Sequence, residues 1–505
     1  MNGNQRKIGI VIQYGQMALS IFIQLVYTPI MLRLLGTTEY GLYNLASSAI
    51  SYLALLSLGF GASYIRWYNI YKKDDDNKNI NKLNGLYLIV FIVIGFVALI
   101  AGLCLSLNVQ LFFNKSYTAS EVYTARILMI FLTINLSISF PSSVFVSYIT
   151  SQERFIFQKI VNMGGTIVSP VVSMIFLYLG FGSIGMVIAT TSISISVFFI
   201  NVLYCLKRLN MKIDFSNPNW LLLKDIFVFS FFIAINQVID QINWQTDKIV
   251  LGKVVNGTAV AVYAIGAQIN TMFINFSTAV SGVFVPKVNK IVSRNDNKMD
   301  EELTMLFTKV GRVQWYILSL ILTGFIFFGK FFIIKWAGKD YENSYYVALL
   351  LMVPAIIPLI QNIGIEIQRA KYKHKFRSIV YLIMSIINVV ISIWLSSIWH
   401  EIGAAIGTTM SLLLANGLIM NIYYHKQCGI DIGYFWKSIA NTLPGYIFPI
   451  ATGILIMNYS FKSIIDFCFL IFIYTSVFCL SMYFFGINQE EKGLIDTPLR
   501  KVLGK

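Results

Sequence analysis

Apolar runs of twenty or more residues recur along the whole chain, for example over 83–107, 227–248 and 464–487. A helix rises about 1.5 Å per residue, so each run is long enough to cross a hydrocarbon layer of about 30 Å. Composition agrees: 57% of the 505 residues are hydrophobic, 12% are charged and the mean hydropathy is +0.70. That leaves too little polar surface for a water-soluble multidomain enzyme. Spans are expected near 10–35, 40–65, 83–107, 122–148, 160–180, 183–206, 226–248, 258–286, 313–334, 344–368, 378–399, 402–424, 438–458 and 464–487. The predicted fold class is therefore an all-α integral membrane protein of about fourteen transmembrane helices.

An even number of spans puts both termini on one side. Alternate loops and the two tails together hold 30 of the 39 Lys and Arg residues, including Arg369, Lys371, Lys373, Lys375 and Arg377. That side is predicted to be cytoplasmic. The net charge of +16 is then a footprint of orientation and of attraction to anionic headgroups, and it calls for no nucleic-acid partner. The first apolar run is too long for a cleavable signal peptide and lacks a small-residue cleavage site, so it is expected to stay as the first helix. Five cysteines without CxxC spacing and three scattered histidines predict neither a disulfide framework nor a zinc or other metal site.

No soluble domain interrupts the helices, so the function is expected to lie within the membrane. At an offset of 220 residues Thr38, Tyr43, Asn77 and Lys78 recur as Thr258, Tyr263, Asn297 and Lys298. The repeat divides the chain into two six-helix bundles, 1–210 and 211–430, followed by two extra helices and a tail over 431–505. Eight of the ten prolines fall in or at the ends of spans, where the kinks they cause mark internal cavities or gates.

The seventh span carries Asn236, Asp240, Asn243 and Asp247 at steps of 4, 3 and 4, hence on one face, with Gln237, Gln241 and Lys248 beside them. An Asp at mid-membrane costs about 2.5–3.5 kcal/mol on insertion scales, so the stripe must meet water or partners. Asp247 and Lys248, near the outer end, also read as an interfacial ion pair. The eighth span repeats the pattern with Gln268, Thr271, Asn275 and Thr278, and the first with Gln13, Gln16, Ser20 and Gln24. For any one of these, an interhelical hydrogen bond of about 0.6 kcal/mol is reason enough. Three such seams together point to a hydrated passage suited to hydroxyl-rich cargo. Arg33 and Arg66, towards opposite faces, would each offer a planar bidentate donor to a passing diphosphate. Glu366 and Arg369 could pair with each other, or Glu366 could titrate as a coupling site.

Two apparent motifs fail. Residues 324–331 read GFIFFGKF, but Phe331 stands where a phosphate-binding loop needs a hydroxyl, and the run is apolar helix. Asp74, Asp75 and Asp76 lack a further Asp at magnesium-binding spacing and read as a solvated loop. No catalytic triad or nucleotide loop is visible, and nothing nominates an active site.

Residues 31–68, MLRLLGTTEYGLYNLASSAISYLALLSLGFGASYIRWY, resemble the opening of bacterial polysaccharide (O-antigen and related) flippases. The shared features are a Gly-x-x-x-Tyr-Gly-x-Tyr turn (Gly36, Tyr40, Gly41, Tyr43) and a helix with Gly59 and Gly61 that ends in Arg66. A second hallmark, Asp-Lys-x-x-Leu-Gly, is present as Asp247, Lys248, Leu251 and Gly252; the Gly-x-Tyr that follows it in the family is Ala261-Val262-Tyr263 here. The resemblance implies the multidrug/oligosaccharidyl-lipid/polysaccharide exporter superfamily, with two six-helix bundles around a central cavity plus two C-terminal helices. It further implies a non-enzymatic flippase of the bacterial cytoplasmic (inner) membrane, both termini cytoplasmic. Its cargo would be undecaprenyl-diphosphate-linked oligosaccharide, the O-antigen of lipopolysaccharide or another polysaccharide repeat unit. Expected partners are that lipid-linked cargo, membrane lipid, and a polysaccharide polymerase with chain-length proteins. No cofactor is expected, and a proton or sodium ion is the candidate coupling ion, through Asp240 or Glu366. Arg66, Arg33, Gln24, Asn236, Asp240, Asn243, Gln268, Thr271 and Asn275 are the expected cavity residues; Gly36, Gly41, Tyr43, Asp247, Lys248 and Gly252 are structural. A cation-coupled multidrug exporter of the same fold is the alternative, and it should prefer an acidic or aromatic cavity. A membrane glycosyltransferase would need a sizeable external loop bearing carboxylates, and none is present.

Overall fold

The computed structural model describes residues 3–113, 117–216, 220–281, 284–294, 296–457, 459 and 463–493. Its regular structure is helical, with no strand among the described residues. In chain order the helices are α1 (Gly3–Ser51), α2 (Phe60–Lys73), α3 (Asn77–Leu107), α4 (Ala119–Ser151), α5 (Phe155–Tyr178), α6 (Gly182–Leu203), α7 (Trp220–Val254) and α8 (Gly257–Ser281). They continue with α9 (Val285–Arg294), α10 (Met299–Trp336), α11 (Ser344–Ile360), α12 (Ile363–Ala370), α13 (His374–Leu412), α14 (Met420–Cys428), α15 (Ile432–Ala440), α16 (Ile447–Met457) and α17 (Ile464–Ser481).

Eleven helical stretches among the described residues are long and apolar enough to cross a membrane, and α7, bent by 44°, makes a twelfth. Two of these are far too long for one crossing. Gly15–Lys73 has 59 residues and His374–Cys428 has 55, about 80–90 Å if straight. Each contains a break, and taking each as two crossings gives the fourteen the sequence predicts.

The first break is Gly36, at φ 74° and ψ 172°, a conformation that glycine adopts without a Cβ clash. The second break is Trp399–His400, where His400 has φ 50°. Here the chain doubles back: Asn388 Nδ2 donates to Thr408 Oγ1 (3.2 Å) and Ser392 Oγ to the Ala404 carbonyl (3.3 Å). Local chemistry sets other boundaries. Thr118 and Glu121 form a capping box at the start of α4, as Ser463 and Asp466 do for α17. The acidic run at 74–76 has the same use, because the Asp76 carboxylate accepts from the Asn79 N–H at 3.0 Å and caps α3.

The chain divides into two compact units, Met1–Ile265 with Tyr381–Thr408, and Gly266–Val380 with Thr409–Lys505. Their limits fall inside α8 and α13. The first unit has an aromatic-rich core in which Tyr64, Leu83, Tyr87, Phe91 and Phe140 are buried. Its two buried polar pairs are satisfied within that core, Tyr64 donating to Asn84 Oδ1 and Ser63 bonding Tyr87. In the second unit Phe328 packs edge-on to Phe467 and Tyr474. Large apolar side chains such as Phe96, Phe199, Ile383 and Phe472 are more than half exposed. Exposed apolar surface in that amount is what a hydrocarbon solvent accepts and water does not.

The glycines of the two family-like motifs permit close helix approach. A Cβ on Gly41 would lie 1.9 Å from the Gly257 carbonyl oxygen, and one on Gly252 would meet the Leu45 side chain at 2.4 Å.

Candidate functional site

The polar residues of α7 serve different ends. Gln245 Oε1 accepts from Ser48 at 2.9 Å, Thr246 bonds the Tyr52 hydroxyl at 2.5 Å, and Gln241 donates to Ser51. These bonds fasten α7 to the chain around the end of α1 and have the interhelical role open to any single Gln or Ser. Asn236 and Asp240 are exposed and Asn243 is half-buried, so this part of the stripe opens outward. A carboxylate so placed in a membrane protein must meet water or a polar partner.

Asp247, at the end of the same stripe, is only 1% exposed. Its Oδ2 accepts from the Tyr263 hydroxyl (2.5 Å) and from Thr408 Oγ1 (2.7 Å). Thr408 in turn accepts from Asn388, and Ser392 donates to Asn388 Oδ1 at 3.2 Å. Asp247 Oδ1 is buried without a hydrogen bond to any described residue, with Ser392 beside the carboxylate. The opposite charges of Asp247 and Lys248 are neighbours without a direct salt bridge among the described residues. Consecutive residues of a helix point about 100° apart, and Lys248 Nζ instead lies 3.5 Å from Gln245 Oε1. The Asp247 cluster offers only oxygens: a carboxylate, an amide, hydroxyls and the Ala404 carbonyl. Such donors suit a proton or a hard cation and not a transition metal. Among the described residues no three His, Cys, Asp or Glu side chains gather into a metal-binding group.

A cavity of about 570 Å³ opens in the first unit among α1, α4, α5 and α6. The α4 wall supplies Asn135, Ser139 and Ser142; α5 supplies Asn162, Thr166 and Ser169; α6 supplies Thr190 and Ser194; α1 supplies Gln16. Ile138, Val161, Gly165, Ile193 and Val197 complete the described lining, and none of these described residues is charged or aromatic. Ser139, Thr166, Thr190 and Ser194 donate to carbonyls of their own helices at 2.6–3.0 Å, leaving their lone pairs to the cavity. The amides of Gln16, Asn135 and Asn162 make no hydrogen bond to other described residues.

Of this lining only Gln16 belongs to a seam singled out in the sequence. The signal was there, because Asn135, Ser139, Ser142 and Asn162, Thr166, Ser169 both run at steps of 4 and 3, the spacing that marks α7. Gln24 of the same α1 seam is half-buried and bonds Ser20 at 3.2 Å. The side chains of Gln13 and Thr278 lie outside the described residues.

Arg66, exposed on α2, has its guanidinium 4.6 Å from the Phe229 ring centre, and Arg33 is exposed near the Gly36 break. In the second unit Thr271 is exposed and donates to the Ala267 carbonyl, while Gln268 and Asn275 are half-buried. Glu366 pairs with Arg369 at 2.8 Å beside a separate cavity of about 530 Å³ lined also by Asn289, Ser293 and Tyr372. The pairing alternative is therefore the one realised at these two residues.

The family model described as polysaccharide biosynthesis protein matches residues 9–292, which includes both glycine-bearing motifs. The chain belongs to the polysaccharide biosynthesis protein family. Within reach of this family is EpsK of Bacillus subtilis (strain 168), described as an uncharacterized membrane protein, 22% identical over 96% of each chain. The capsular polysaccharide biosynthesis protein CapF of Staphylococcus aureus is 24% identical over 44% of this chain and 55% of its own. Among solved structures, the lipid II flippase MurJ in an inward closed conformation aligns with a TM-score of 0.75 at 16% identity, covering 95% of this chain and 98% of that one. An inward-facing multidrug resistance MATE family transporter of the MOP superfamily aligns at 0.65 and 13% identity, covering 85% and 99%. This member of the polysaccharide biosynthesis protein family is thus a multi-pass membrane protein with the fold of that transporter superfamily.

Proposed function

We propose that the protein is a lipid-linked oligosaccharide flippase, not an enzyme. It carries undecaprenyl-diphosphate-linked repeat units, of O-antigen or another polysaccharide, from the inner to the outer leaflet of the cytoplasmic membrane by alternating access. The observation that carries this reading is the lining of the cavity in the first unit, whose described residues offer amides and hydroxyls and include no acid to attract cationic drugs and no ring to stack on them. Sugars follow this hydrated route, Arg66 and Arg33 draw the diphosphate, and the prenyl tail stays in lipid. Asn236, Asp240, Asn243, Gln268, Thr271 and Asn275 add polar surface for the cargo. An inside-negative potential favours outward movement of anionic headgroups by about 2.3 kcal/mol per charge per 100 mV, so that step needs no ATP. The polymerase and chain-length proteins of the same pathway are its partners downstream, and both termini lie in the cytoplasm.

Cells lacking the gene should accumulate the lipid-linked unit on the inner leaflet and lose surface polymer. Normal polymer, together with retention of a fluorescent cation, would instead favour a multidrug exporter.

Resetting the empty carrier is coupled to a proton or sodium ion. Of the carboxylates considered, Asp247 has the best-built surroundings, since Asp240 is exposed and Glu366 is already paired. Asp247→Asn should abolish the dependence of repeated turnover on the cation gradient, while Asp240→Asn should leave it intact. Gradient-driven lipid transfer in vesicles tests the pair, and the reverse pattern would move the coupling role to Asp240.

A further inference from the structure

We propose that the uncharged cavity among α1, α4, α5 and α6 is a sugar subsite selective for neutral residues, which excludes units bearing carboxylates. This rests on the flippase reading and names the chemistry its first unit accepts. The cavity, about 570 Å³, is within the ~300–1,000 Å³ range of small-molecule sites and has room for a few sugar rings. Its hydrogen-bonding inventory decides what enters. Ser139, Thr166, Thr190 and Ser194 have committed their hydrogens to helix carbonyls and present lone pairs. Donors come from the uncommitted amides of Gln16, Asn135 and Asn162 and from the hydroxyls of Ser142 and Ser169, all of them neutral. A sugar hydroxyl both donates and accepts, so it satisfies both kinds of group. A carboxylate only accepts, so against the committed hydroxyls it meets lone pair on lone pair, and no Lys or Arg among the described lining residues offsets its lost hydration. Cationic ligands fare no better, because the described lining offers them no carboxylate and no aromatic face. The anionic diphosphate is left to the arginines outside this cavity.

The test uses the full chain in lipid vesicles, with the thiol introduced by Ser139→Cys as reporter and an aqueous maleimide as reagent. Maltotriose should slow labelling, and trigalacturonate should protect at least about tenfold more weakly. Ser194→Cys serves as an independent reporter should Ser139→Cys perturb folding. Adding Asn162→Lys supplies the missing cation and should reverse the preference. Equal protection by both sugars, protection by neither, or an unchanged preference with Asn162→Lys would each overturn the proposal. Transfer of neutral and acidic lipid-linked units is read in parallel. Equal rates would overturn the selectivity and leave the flippase standing, whereas maltotriose protection with no lipid transfer would keep the subsite and remove the flippase.

Discussion

Gly41→Val should leave little or no folded protein, while Gly257→Ala should be tolerated. Both glycines stand at the same contact, yet the geometry is one-sided. A Cβ on Gly41 would sit 1.9 Å from the Gly257 carbonyl oxygen and 2.6 Å from its carbon, whereas a Cβ on Gly257 finds nothing closer than the Tyr117 ring at 3.4 Å. Ordinary overpacking costs about 1–3 kcal/mol because side chains yield. Here the obstacle is backbone, so the helices themselves must part and the loss should exceed that range. Helix propensity works the other way, since glycine is a poorer helix former than valine by a few tenths of a kcal/mol. A loss of stability would therefore report packing alone. The measurement is the monodisperse fraction in detergent and its thermal midpoint; a stable Gly41→Val variant would mean that the two backbones are not in contact.

Arg312→Ala should be the second severe variant, at about 3–5 kcal/mol, the usual consequence of leaving a buried charge unpaired. Arg312 and Glu491 side chains are each 7% exposed and joined by Nε to Oε1 at 2.6 Å and Nη2 to Oε2 at 2.8 Å. The guanidinium also donates to the Tyr316 hydroxyl and to the carbonyls of Ser438 and Gly486. One side chain of α10 thus clasps α15 and the segment that follows α17. Replacing both partners, as Arg312→Met with Glu491→Leu, should recover most of the loss, because no charge is then stranded.

The clasp also has a pH signature. Burial raises the Glu491 carboxyl, but the Arg312 hydrogen bond, the Asn488 N–H and the Tyr316 hydroxyl outweigh it and hold the group below its ordinary value. Its stabilisation is full above the unfolded value of about 4.3 and is lost as pH falls through the lower folded value. Thermal midpoints should therefore be flat from neutral pH to about 5 and drop below about 4, with the Arg312→Met, Glu491→Leu pair lacking this part of the drop. An equal drop in that pair would assign the acid sensitivity to other carboxylates.

The candidate site was partly legible. The stripe from Asn236 to Asp247 could be read from spacing, but not its division into an open part and a buried end, because that depends on Tyr263 and Thr408 arriving from other helices. Asn135, Asn162 and Thr190 went unnoticed for a related reason. A single Ser, Thr or Asn in an apolar helix is ordinary and can satisfy itself on its own backbone, so runs of two or three on separate helices carry no signal until they converge.

Membrane crossing itself was settled by sequence alone, because hydrophobic length against bilayer thickness is a one-dimensional quantity that each segment carries within it. The break at Gly36 and the return near residue 400 were equally local, since they depend on where apolar runs exceed one crossing. Which polar groups are spent on holding helices together and which are left open was decided only by the tertiary structure. A hydrogen bond between helices is a relation between distant residues, and periodicity along one helix gives a direction without naming what stands there.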